Sequence, residues 1–273
     1  MINNKPLIII TGGTRGLGLE TAVYLSKQNW NLILIDISKS AFKVYGESQN
    51  INQVKEKILK NNIVDFYFGD LSKENQVKKI FSKIKKKYKK IDGLVTFAGG
   101  DIKGNDKRAS GGKAINNNLF IKTKQFHEIF NRNFYSTYYT IKSCLPLMKK
   151  NSSGKIVTIS SILATFGTEH EFAYSSSKSN IIHLTRATAS HCRKWGINVN
   201  CIAPSGVKTA RFMNTLKNRS KHDLKRLKSK RKLLSFAEPE DVAKVVYFLL
   251  SDLSSFISGQ VIKIDGGEIL SPT

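Results

Sequence analysis

A chain of 273 residues, 40% of them hydrophobic, is long enough for one large α/β domain or two small ones and can bury a sizeable core. It has five prolines and no Pro-, Ser- or Gln-rich tract that would serve as a linker, so we expect a single domain over residues 1–273. The formal charge of +25 raises the hypothesis of a nucleic-acid partner, but the lysines are spread over several predicted helices and no zinc-finger or helix-turn-helix signature stands out, so no specific nucleic-acid role is expected.

Apolar runs of strand length alternate with amphipathic stretches of helix length along the chain. The predicted strands are Leu7–Thr11, Asn31–Asp36, Ile63–Gly69, Gly93–Ala98, Lys155–Ser161, Ile197–Ile202 and Gln260–Ile264. The predicted helices are Gly16–Gln28, Lys73–Tyr88, Glu128–Lys149, Tyr174–Lys194 and Pro239–Leu250. Such alternation, with continuously apolar strands, predicts an α/β fold with one doubly wound parallel sheet of about seven strands and helices on both faces.

Two predicted connections differ from the rest. Gly99–Thr123 is a long polar loop, and loops of this length are usually functional or disordered. Val207–Phe236 is irregular and basic, and we expect it to be a substrate lid whose charges either attract an acidic partner or are simply solvated. Its basic residues include Lys217, Arg219, Lys221, Lys225, Arg226, Lys228, Lys230, Arg231 and Lys232.

The cysteines and the apolar segments predict the compartment. Cys144, Cys192 and Cys201 are odd in number and lack metal-ligand spacing, so we expect reduced thiols in a cytoplasmic protein and no metal site. The apolar run within Met1–Ile10 is too short for a signal peptide and is interpreted as a buried strand. No apolar stretch approaches the length of a membrane span, so no membrane partner is expected.

A glycine-rich turn follows the first predicted strand. Residues 11–18 read Thr-Gly-Gly-Thr-Arg-Gly-Leu-Gly. Glycines permit a tight turn and let backbone amides approach a pyrophosphate at the positive end of the following helix. A turn of this kind is often only a turn, but its place between a strand and a helix in the first βαβ unit favours a dinucleotide site.

Asp36 ends the second predicted strand, about 20 residues into that unit, where an acid can bind the hydroxyls of the adenosine ribose. A carboxylate there would repel a 2′-phosphate and favours NAD, whereas Arg15 could reach a phosphate and leaves NADP open. The alternative for Asp36 is a turn residue at a strand end. Asp70 either meets the adenine or is a helix N-terminal acid before Lys73.

Tyr174 and Lys178 are spaced so that both lie on one face of a helix. A free phenol has a pKa of about 10 and is a poor base near neutral pH. The lysine ammonium can lower that pKa, which would give a tyrosine able to exchange a proton with a hydroxyl or carbonyl. The alternative is a chance pair on a solvated helix face.

Together these motifs resemble those of the short-chain dehydrogenase/reductase family, over Leu7 to Gly267. The glycine turn matches the family's Thr-Gly-x-x-x-Gly-x-Gly motif, and Tyr174 and Lys178 match its active-site pair. Further matches are Ser161, thirteen residues before the tyrosine; Asn133, thirteen before Pro146; the segment Pro204–Thr209; and Asp265-Gly266-Gly267.

The resemblance implies a Rossmann-type fold and an NAD(P)-dependent oxidoreductase that transfers a hydride to or from a secondary alcohol or ketone. Tyr174 would exchange the proton, Lys178 would lower its pKa and bind the nicotinamide ribose, Ser161 would bond the substrate oxygen, and Asn133 would hold a water. The residues expected to bind the cofactor are Gly12, Thr14, Arg15, Gly16, Leu17, Gly18, Asp36, Asp70, Leu71, Ala98, Gly99, Tyr174, Lys178, Pro204, Val207 and Thr209.

The chain departs from the family pattern at three places. Phe97 stands where the family has an asparagine that braces the sheet, so we expect it to affect packing more than chemistry. Ser205 replaces a glycine near the nicotinamide. The Gly99–Asn133 connection is about a dozen residues longer than in common members, a length more typical of a binding lid.

The substrate stays open between two branches. One is a 3-oxoacyl thioester on an acidic acyl carrier, and the other is a small cyclic, sugar or steroid-like alcohol. Glu169 and His170 either line the substrate pocket or lie on a surface loop. A non-catalytic dinucleotide-binding sensor or scaffold is the alternative function. The resemblance also implies a homodimer or homotetramer, and the run Phe134, Tyr135, Tyr138, Tyr139 and Ile141 fits a helix interface as well as a core.

Overall fold

The computed structural model describes residues 5–58, 62–101, 117–214 and 220–270. Its centre is a seven-stranded sheet in the order β3-β2-β1-β4-β5-β6-β7, and every pair of neighbouring strands is parallel. The strands are β1 (Leu7–Thr11), β2 (Asn31–Asp36), β3 (Val64–Phe68), β4 (Gly93–Thr96), β5 (Gly154–Ile159), β6 (Ile197–Pro204) and β7 (Val261–Ile264). The predicted α/β class with a parallel sheet of about seven strands is confirmed.

Helices cover both faces of the sheet. They are α1 (Gly16–Lys27), α2 (Ile51–Glu56), α3 (Glu74–Lys87), α4 (Thr123–Phe130), α5 (Ser136–Lys149), α6 (Phe172–Cys192), α7 (Ala210–Met213), α8 (Lys221–Leu227) and α9 (Pro239–Leu250). A π-helical turn, Asn131–Tyr135, joins α4 to α5. Helices α1 and α9 pack against each other, as do α3 and α5.

The core is divided into two layers by the alternation of side chains along each strand. Ile9 of β1 packs with apolar residues of α3, α5 and α6, while its neighbours Ile8 and Ile10 pack with those of α1 and α9. Successive strand residues point to opposite faces, so a sheet covered on both sides needs apolar residues at every position. This requirement explains why the strands read as unbroken apolar runs.

The order in which successive strands are added to the sheet reverses at β1. Strand β1 pairs with β2 on one side and with β4 on the other, and β1 and β4 end side by side. The Ala98 amide donates a hydrogen bond to Thr11 Oγ1 at 3.1 Å and fixes the loops that follow them. Ligands of open α/β sheets bind in the crevice at such a switch point.

The predicted elements agree with the structure to within a few residues, with one larger error. The helix predicted from Glu128 begins at Thr123, and it contains a π-helical turn. The short helix α2 lies between predicted elements and was not expected. In the Gly99–Thr123 loop, residues 102–116 lie outside the described part of the chain.

The basic segment and the departures from the family pattern are accommodated locally. Val207–Phe236 contains the short helices α7 and α8, with residues 215–219 outside the described ranges. Phe97 packs against the core layer of α1 and α9, which agrees with a packing role. The Ser205 amide donates to Ile264 O at 3.0 Å. Within the described ranges, no helix combines the length and the apolar character that a bilayer crossing requires.

Candidate active site

Helix α6 carries the tyrosine and lysine near its first turn. The helix begins at Phe172, directly after Glu171, whose φ of 63° is left-handed. Tyr174 and Lys178 therefore lie one turn apart, and Lys178 Nζ is 5.7 Å from the centroid of the Tyr174 ring. The expected helical relation between these two side chains is present.

The Lys178 ammonium is held at the end of β5. Its side chain is 5% exposed, and Nζ donates a hydrogen bond to Ile159 O at 2.9 Å. Ser160 Oγ donates to Lys178 O at 2.8 Å and ties the helix to the strand end. Burial lowers the pKa of Lys178 to about 8, because the charged form of a lysine is disfavoured away from water.

Ser161 follows β5 and faces the tyrosine. It is buried, its Oγ accepts a weak hydrogen bond from the Leu163 amide at 3.3 Å, and its hydroxyl lies near enough to Tyr174 to lower the pKa of that phenol. Two hydroxyl groups from different elements thus meet at the carboxyl end of β5. Such a pair can bind one carbonyl or hydroxyl oxygen of a ligand from two sides.

Asn133 lies in the π-helical turn and is fully buried. Its Nδ2 donates to Gly100 O at 3.0 Å and to Ile129 O at 2.9 Å, and its Oδ1 accepts from the Gly100 amide at 2.8 Å. The side chain therefore clamps the loop that follows β4. π-Helical turns inside α-helices are frequent at functional sites.

Gly99 brings the loop, the asparagine and the lysine together. A Cβ placed on Gly99 would lie 2.7 Å from Asn133 Oδ1 and 3.6 Å from Lys178 Nζ, and the φ of 156° at this residue also favours glycine. The four predicted catalytic residues, Asn133, Ser161, Tyr174 and Lys178, are consequently gathered around one edge of the sheet. Their roles stay predictions.

The pKa of Tyr174 differs from the sequence-based expectation. Burial raises it strongly, and the Glu171 carboxylate raises it further. The Arg211 guanidinium and the Ser161 hydroxyl act in the opposite direction, and they do not offset the burial. The Lys178 ammonium is directed to Ile159 O and is itself desolvated, and its expected effect on the pKa of Tyr174 stays a prediction.

The glycine-rich turn has the shape that a dinucleotide requires. Gly12 has a φ of +64°, and a Cβ there would lie 3.0 Å from the Ala98 amide nitrogen. A Cβ on Gly18 would collide with the Gly12 carbonyl. Gly16 has a φ of +53°, and a Cβ there would meet nothing within 4 Å, so the Cα of Gly16 faces open space at the start of α1. These residues fit the phosphates of a nicotinamide dinucleotide.

Asp36 is buried at the end of β2 and is bonded to the glycine turn. Its Oδ2 accepts hydrogen bonds from Thr14 N at 3.1 Å and from Thr14 Oγ1 at 2.6 Å. Its Oδ1 accepts from the Ile37 amide at 2.8 Å. The carboxylate stands beside the turn, as expected, and it also has the bracing role of a strand-end residue.

Asp70 and Leu71 take structural positions. Asp70 Oδ1 accepts from both the amide and the hydroxyl of Ser72, at 2.9 and 2.7 Å, which is the local turn contact that the alternative interpretation expects. Leu71 is 5% exposed and packs in the core layer of α3 and α5. Only the backbone of Leu71 is available to a ligand.

The segment that follows β6 approaches the candidate site from another side. Pro204 ends β6, Val207 forms an isolated bridge with Ala237, and Thr209 Oγ1 accepts from the Phe212 amide at 3.3 Å to begin α7. Helix α7 carries Arg211, whose Nη1 would lie 2.8 Å from a Cβ on Gly100. No sequence motif indicated this arginine, because only the fold of the basic segment brings it toward the site.

Glu169 and His170 are both exposed, which fits the surface-loop alternative. In the ranges that the structure covers, no group of three or more His, Cys, Asp or Glu side chains is arranged to hold a metal ion.

Comparison with known proteins places these features in context. A family model described as enoyl-(acyl carrier protein) reductase matches residues 12–268. The 3-oxoacyl-[acyl-carrier-protein] reductase FabG of Buchnera aphidicola subsp. Baizongia pistaciae is 30% identical over 269 residues, which cover 98% of each protein. The levodione reductase of Leifsonia aquatica is 26% identical over 270 residues, 96% of this chain and 93% of that protein.

Solved structures give the same result. The structure of ElxO with NADP bound is similar at a TM-score of 0.81 and 30% identity, over 96% of this chain and 98% of ElxO. Relatives that are named as reductases give no support to a non-catalytic sensor. The family model, the full-length relatives and the shared fold show that this chain belongs to the short-chain dehydrogenase/reductase family and is an NAD(P)-dependent oxidoreductase.

Proposed function

We propose that the protein reduces the 3-keto group of an acyl thioester that is carried on an acyl carrier protein, with NAD(H) as the preferred cofactor. The observation that carries the proposal is the placement of Tyr174 and Ser161 beside the buried Lys178, whose Nζ is 5.7 Å from the centroid of the Tyr174 ring. A bound nicotinamide dinucleotide supplies the hydride in this chemistry. The residues of the chain bind the carbonyl oxygen and deliver the proton.

Tyr174 acts as the proton donor. A tyrosine phenol is protonated at neutral pH, so it can donate that proton to a carbonyl oxygen, in the direction of reduction. Ser161 donates a hydrogen bond to the same oxygen and stabilises the negative charge that develops on it. The cause of the raised pKa of Tyr174 is burial, so exclusion of water also strengthens both hydrogen bonds.

Lys178 is a source of protons next to Tyr174. With a pKa of about 8, it is mostly protonated at neutral pH but can release a proton at little cost. Asn133 positions the Gly99–Gly100 loop against this ammonium through its hydrogen bonds with Gly100. Through this loop Asn133 acts as a positioning residue in the proposed reaction.

The basic lid, Val207–Phe236, supports an acidic carrier protein as the molecule to which the substrate is attached. Arg226 is paired with Glu268 through two hydrogen bonds, at 2.8 and 2.9 Å, and Lys232 pairs with Asp241. Other basic side chains of the lid are exposed, and in the described part of the chain they form no ion pair: Lys225, Lys228, Lys230 and Arg231. Positive charge around a site steers an acidic partner toward it.

The preference for NAD(H) rests on Asp36. A buried carboxylate fixed on Thr14 at the edge of the glycine turn stands where a 2′-phosphate would add like charge. ElxO with NADP bound shows that one relative accepts the phosphorylated cofactor. The proposal for this chain therefore depends on its own residues rather than on that relative.

Two hydrophobic-aromatic positions on α5 and its π-helical turn support a homodimer. Tyr135 and Tyr138 are 40% and 37% exposed, and the rings of Phe134 and Tyr138 are parallel, with centroids 6.5 Å apart. Exposed aromatic side chains on one helix face are typical of interfaces. Light scattering during size-exclusion chromatography is expected to give twice or four times the chain mass, and a monomer would contradict the proposal.

A substrate panel tests the proposed reaction. Turnover is followed by nicotinamide absorbance with a 3-oxoacyl carrier-protein thioester, the matching coenzyme A thioester and a small cyclic ketone, each with NADH and with NADPH. The carrier-protein thioester is expected to give the highest kcat/KM. A higher kcat/KM for the cyclic ketone would favour the branch to which levodione reductase belongs.

A further inference from the structure

The segment between β2 and α2 places a second carboxylate on the glycine turn. Glu47 Oε1 accepts a hydrogen bond from the Gly16 amide at 2.7 Å. Gly16 is the first residue of α1, so this amide is one of the helix's N-terminal donors. Glu47 is thirty-one positions from Gly16 in sequence, and no motif pointed to it.

The contact is supported from within the segment. Lys57 Nζ donates to the Glu47 carbonyl at 2.6 Å, and Ser48 beside it is buried. Glu47 Oε2 is also buried and has no hydrogen-bond partner among the described residues. Burial is the main reason that the pKa of Glu47 is raised, while the Gly16 amide and the Arg15 charge act to lower it.

Arg15 is held by the same segment. Its guanidinium carbon lies 5.7 Å from the centroid of the Tyr45 ring, within the range of a cation–π contact. The Glu47 carboxylate is close enough for the Arg15 charge to affect its pKa. Arg15 is the residue that favoured NADP in the sequence, and the Tyr45 ring and the Glu47 carboxylate both lie near its charge.

Two carboxylates consequently bracket Arg15. Asp36 is bonded to Thr14, the residue before it, and Glu47 is bonded to Gly16, the residue after it. A 2′-phosphate that binds Arg15 would have to compete with Glu47 and would lie in the field of both acids. An unphosphorylated ribose meets neither obstacle.

We propose that Glu47 is a specificity-determining residue that disfavours the 2′-phosphate of NADP(H) by holding a carboxylate beside Arg15 from the neighbouring segment. The inference deepens the proposed preference for NAD(H) and rests on it. Glu47 acts through its charge, whereas its hydrogen bond to Gly16 only holds the carboxylate in position.

The test is direct binding of NADH and NADPH to the full chain, followed by cofactor fluorescence in the absence of substrate. Glu47→Gln removes the charge and keeps an oxygen for the Gly16 amide. We expect NADPH affinity to rise about tenfold or more, equivalent to about 1.4 kcal/mol, while NADH affinity changes by less than about twofold. Glu47→Ala is expected to shift the NADH/NADPH affinity ratio in the same direction, because the charge is responsible.

Two controls separate specificity from general effects. Glu56 is an exposed acid on α2, so Glu56→Gln removes an equal charge and is expected to leave the ratio unchanged within about twofold. In an Arg15→Gln background, Glu47→Gln is expected to give no further gain for NADPH beyond about twofold.

Each alternative result has a defined meaning. An equal gain for both cofactors would show that Glu47 competes with the shared pyrophosphate and would overturn the proposal. No change in either affinity would reduce Glu47 to a structural contact and would also overturn it. Failure of the parent to bind NADH more tightly than NADPH would instead contradict the proposed cofactor preference itself.

Discussion

The two ends of the crevice at the carboxyl edge of the sheet hold side chains of opposite hydrogen-bonding character, donors to carbonyls at one end and acceptors from amides at the other. At the catalytic end, Lys178 and Asn133 are buried and hydrogen-bonded to backbone groups of the strand ends and of the loop after β4. At the adenosine end, the side chains of Asp36 and Glu47 accept hydrogen bonds from amides of the glycine turn.

The difference indicates how the chain separates chemistry from selectivity. Side chains that are fixed by buried backbone groups cannot move without cost, and catalysis requires such fixed positions. The Glu47 side chain comes from a connection between elements, where sequence can change without disturbing the sheet. We therefore expect changes at the catalytic end to affect turnover and changes at the adenosine end to affect the choice of cofactor.

The largest effect of the three variants that follow is expected for Ser161→Ala. Loss of the hydroxyl removes a hydrogen-bond donor to the substrate oxygen, and comparable donors contribute about 100- to 1,000-fold to kcat. Steady-state kinetics should show this loss in kcat with NADH binding retained. Ser190→Ala, which removes an exposed hydroxyl near the other end of α6, serves as the control and should change kcat by less than about twofold. Equal kcat values for both variants would contradict the role of Ser161.

The sequence predicted the catalytic end well because its residues lie at regular positions. Continuous apolar runs fix the strand ends, the spacing of Tyr174 and Lys178 places both on one face of α6, and Ser161 was assigned from the resemblance to the family. The raised pKa of Tyr174 was not anticipated, since it comes from burial and from the Glu171 carboxylate, which no spacing motif encodes. Glu47 was missed because its contact with Gly16 joins distant parts of the chain, which no local pattern encodes.

A pH-dependent stability difference is expected for Lys178→Met. The folded-state pKa of Lys178 is lowered from 10.5 to about 8, so the unfolded chain binds the proton more tightly than the folded chain in the interval between these values. The free-energy cost that the desolvated Lys178 ammonium imposes on the folded state is full below pH 8. It is lost as the pH rises toward 10.5, the pKa of this lysine in the unfolded chain. The parent should gain about 2 kcal/mol of unfolding free energy relative to the variant between about pH 7.5 and pH 9.5.

Urea unfolding of both proteins at the two pH values measures that difference, because effects of other titrating groups cancel in the comparison. The variant also loses the hydrogen bond to Ile159 O, which shifts its stability by the same amount at both pH values. A difference that does not change with pH would show that Lys178 is not desolvated, and would weaken the contrast between the two ends.

A smaller effect is expected for Asp36→Asn. The variant keeps an acceptor for Thr14 but removes the charge that opposes a 2′-phosphate. The NADH/NADPH affinity ratio should fall about fivefold, equivalent to about 1 kcal/mol, with kcat nearly unchanged. Asp70→Asn is the matched control, since Asp70 is bonded to Ser72 in its own turn, and it should leave the ratio unchanged. If kcat fell by a larger factor than the NADH/NADPH affinity ratio, the expected separation of turnover and cofactor choice between the two ends would be contradicted.

Turnover and cofactor binding of Tyr174→Phe test the central claim most directly, with the best substrate of the panel. The change removes only the hydroxyl that delivers the proton and keeps the ring against Ala173 and Ile129. We predict that turnover is abolished while the dissociation constant for NADH stays within about threefold, since general acid catalysis contributes about 100- to 10,000-fold. Turnover within about tenfold of the parent would contradict Tyr174 as the proton donor.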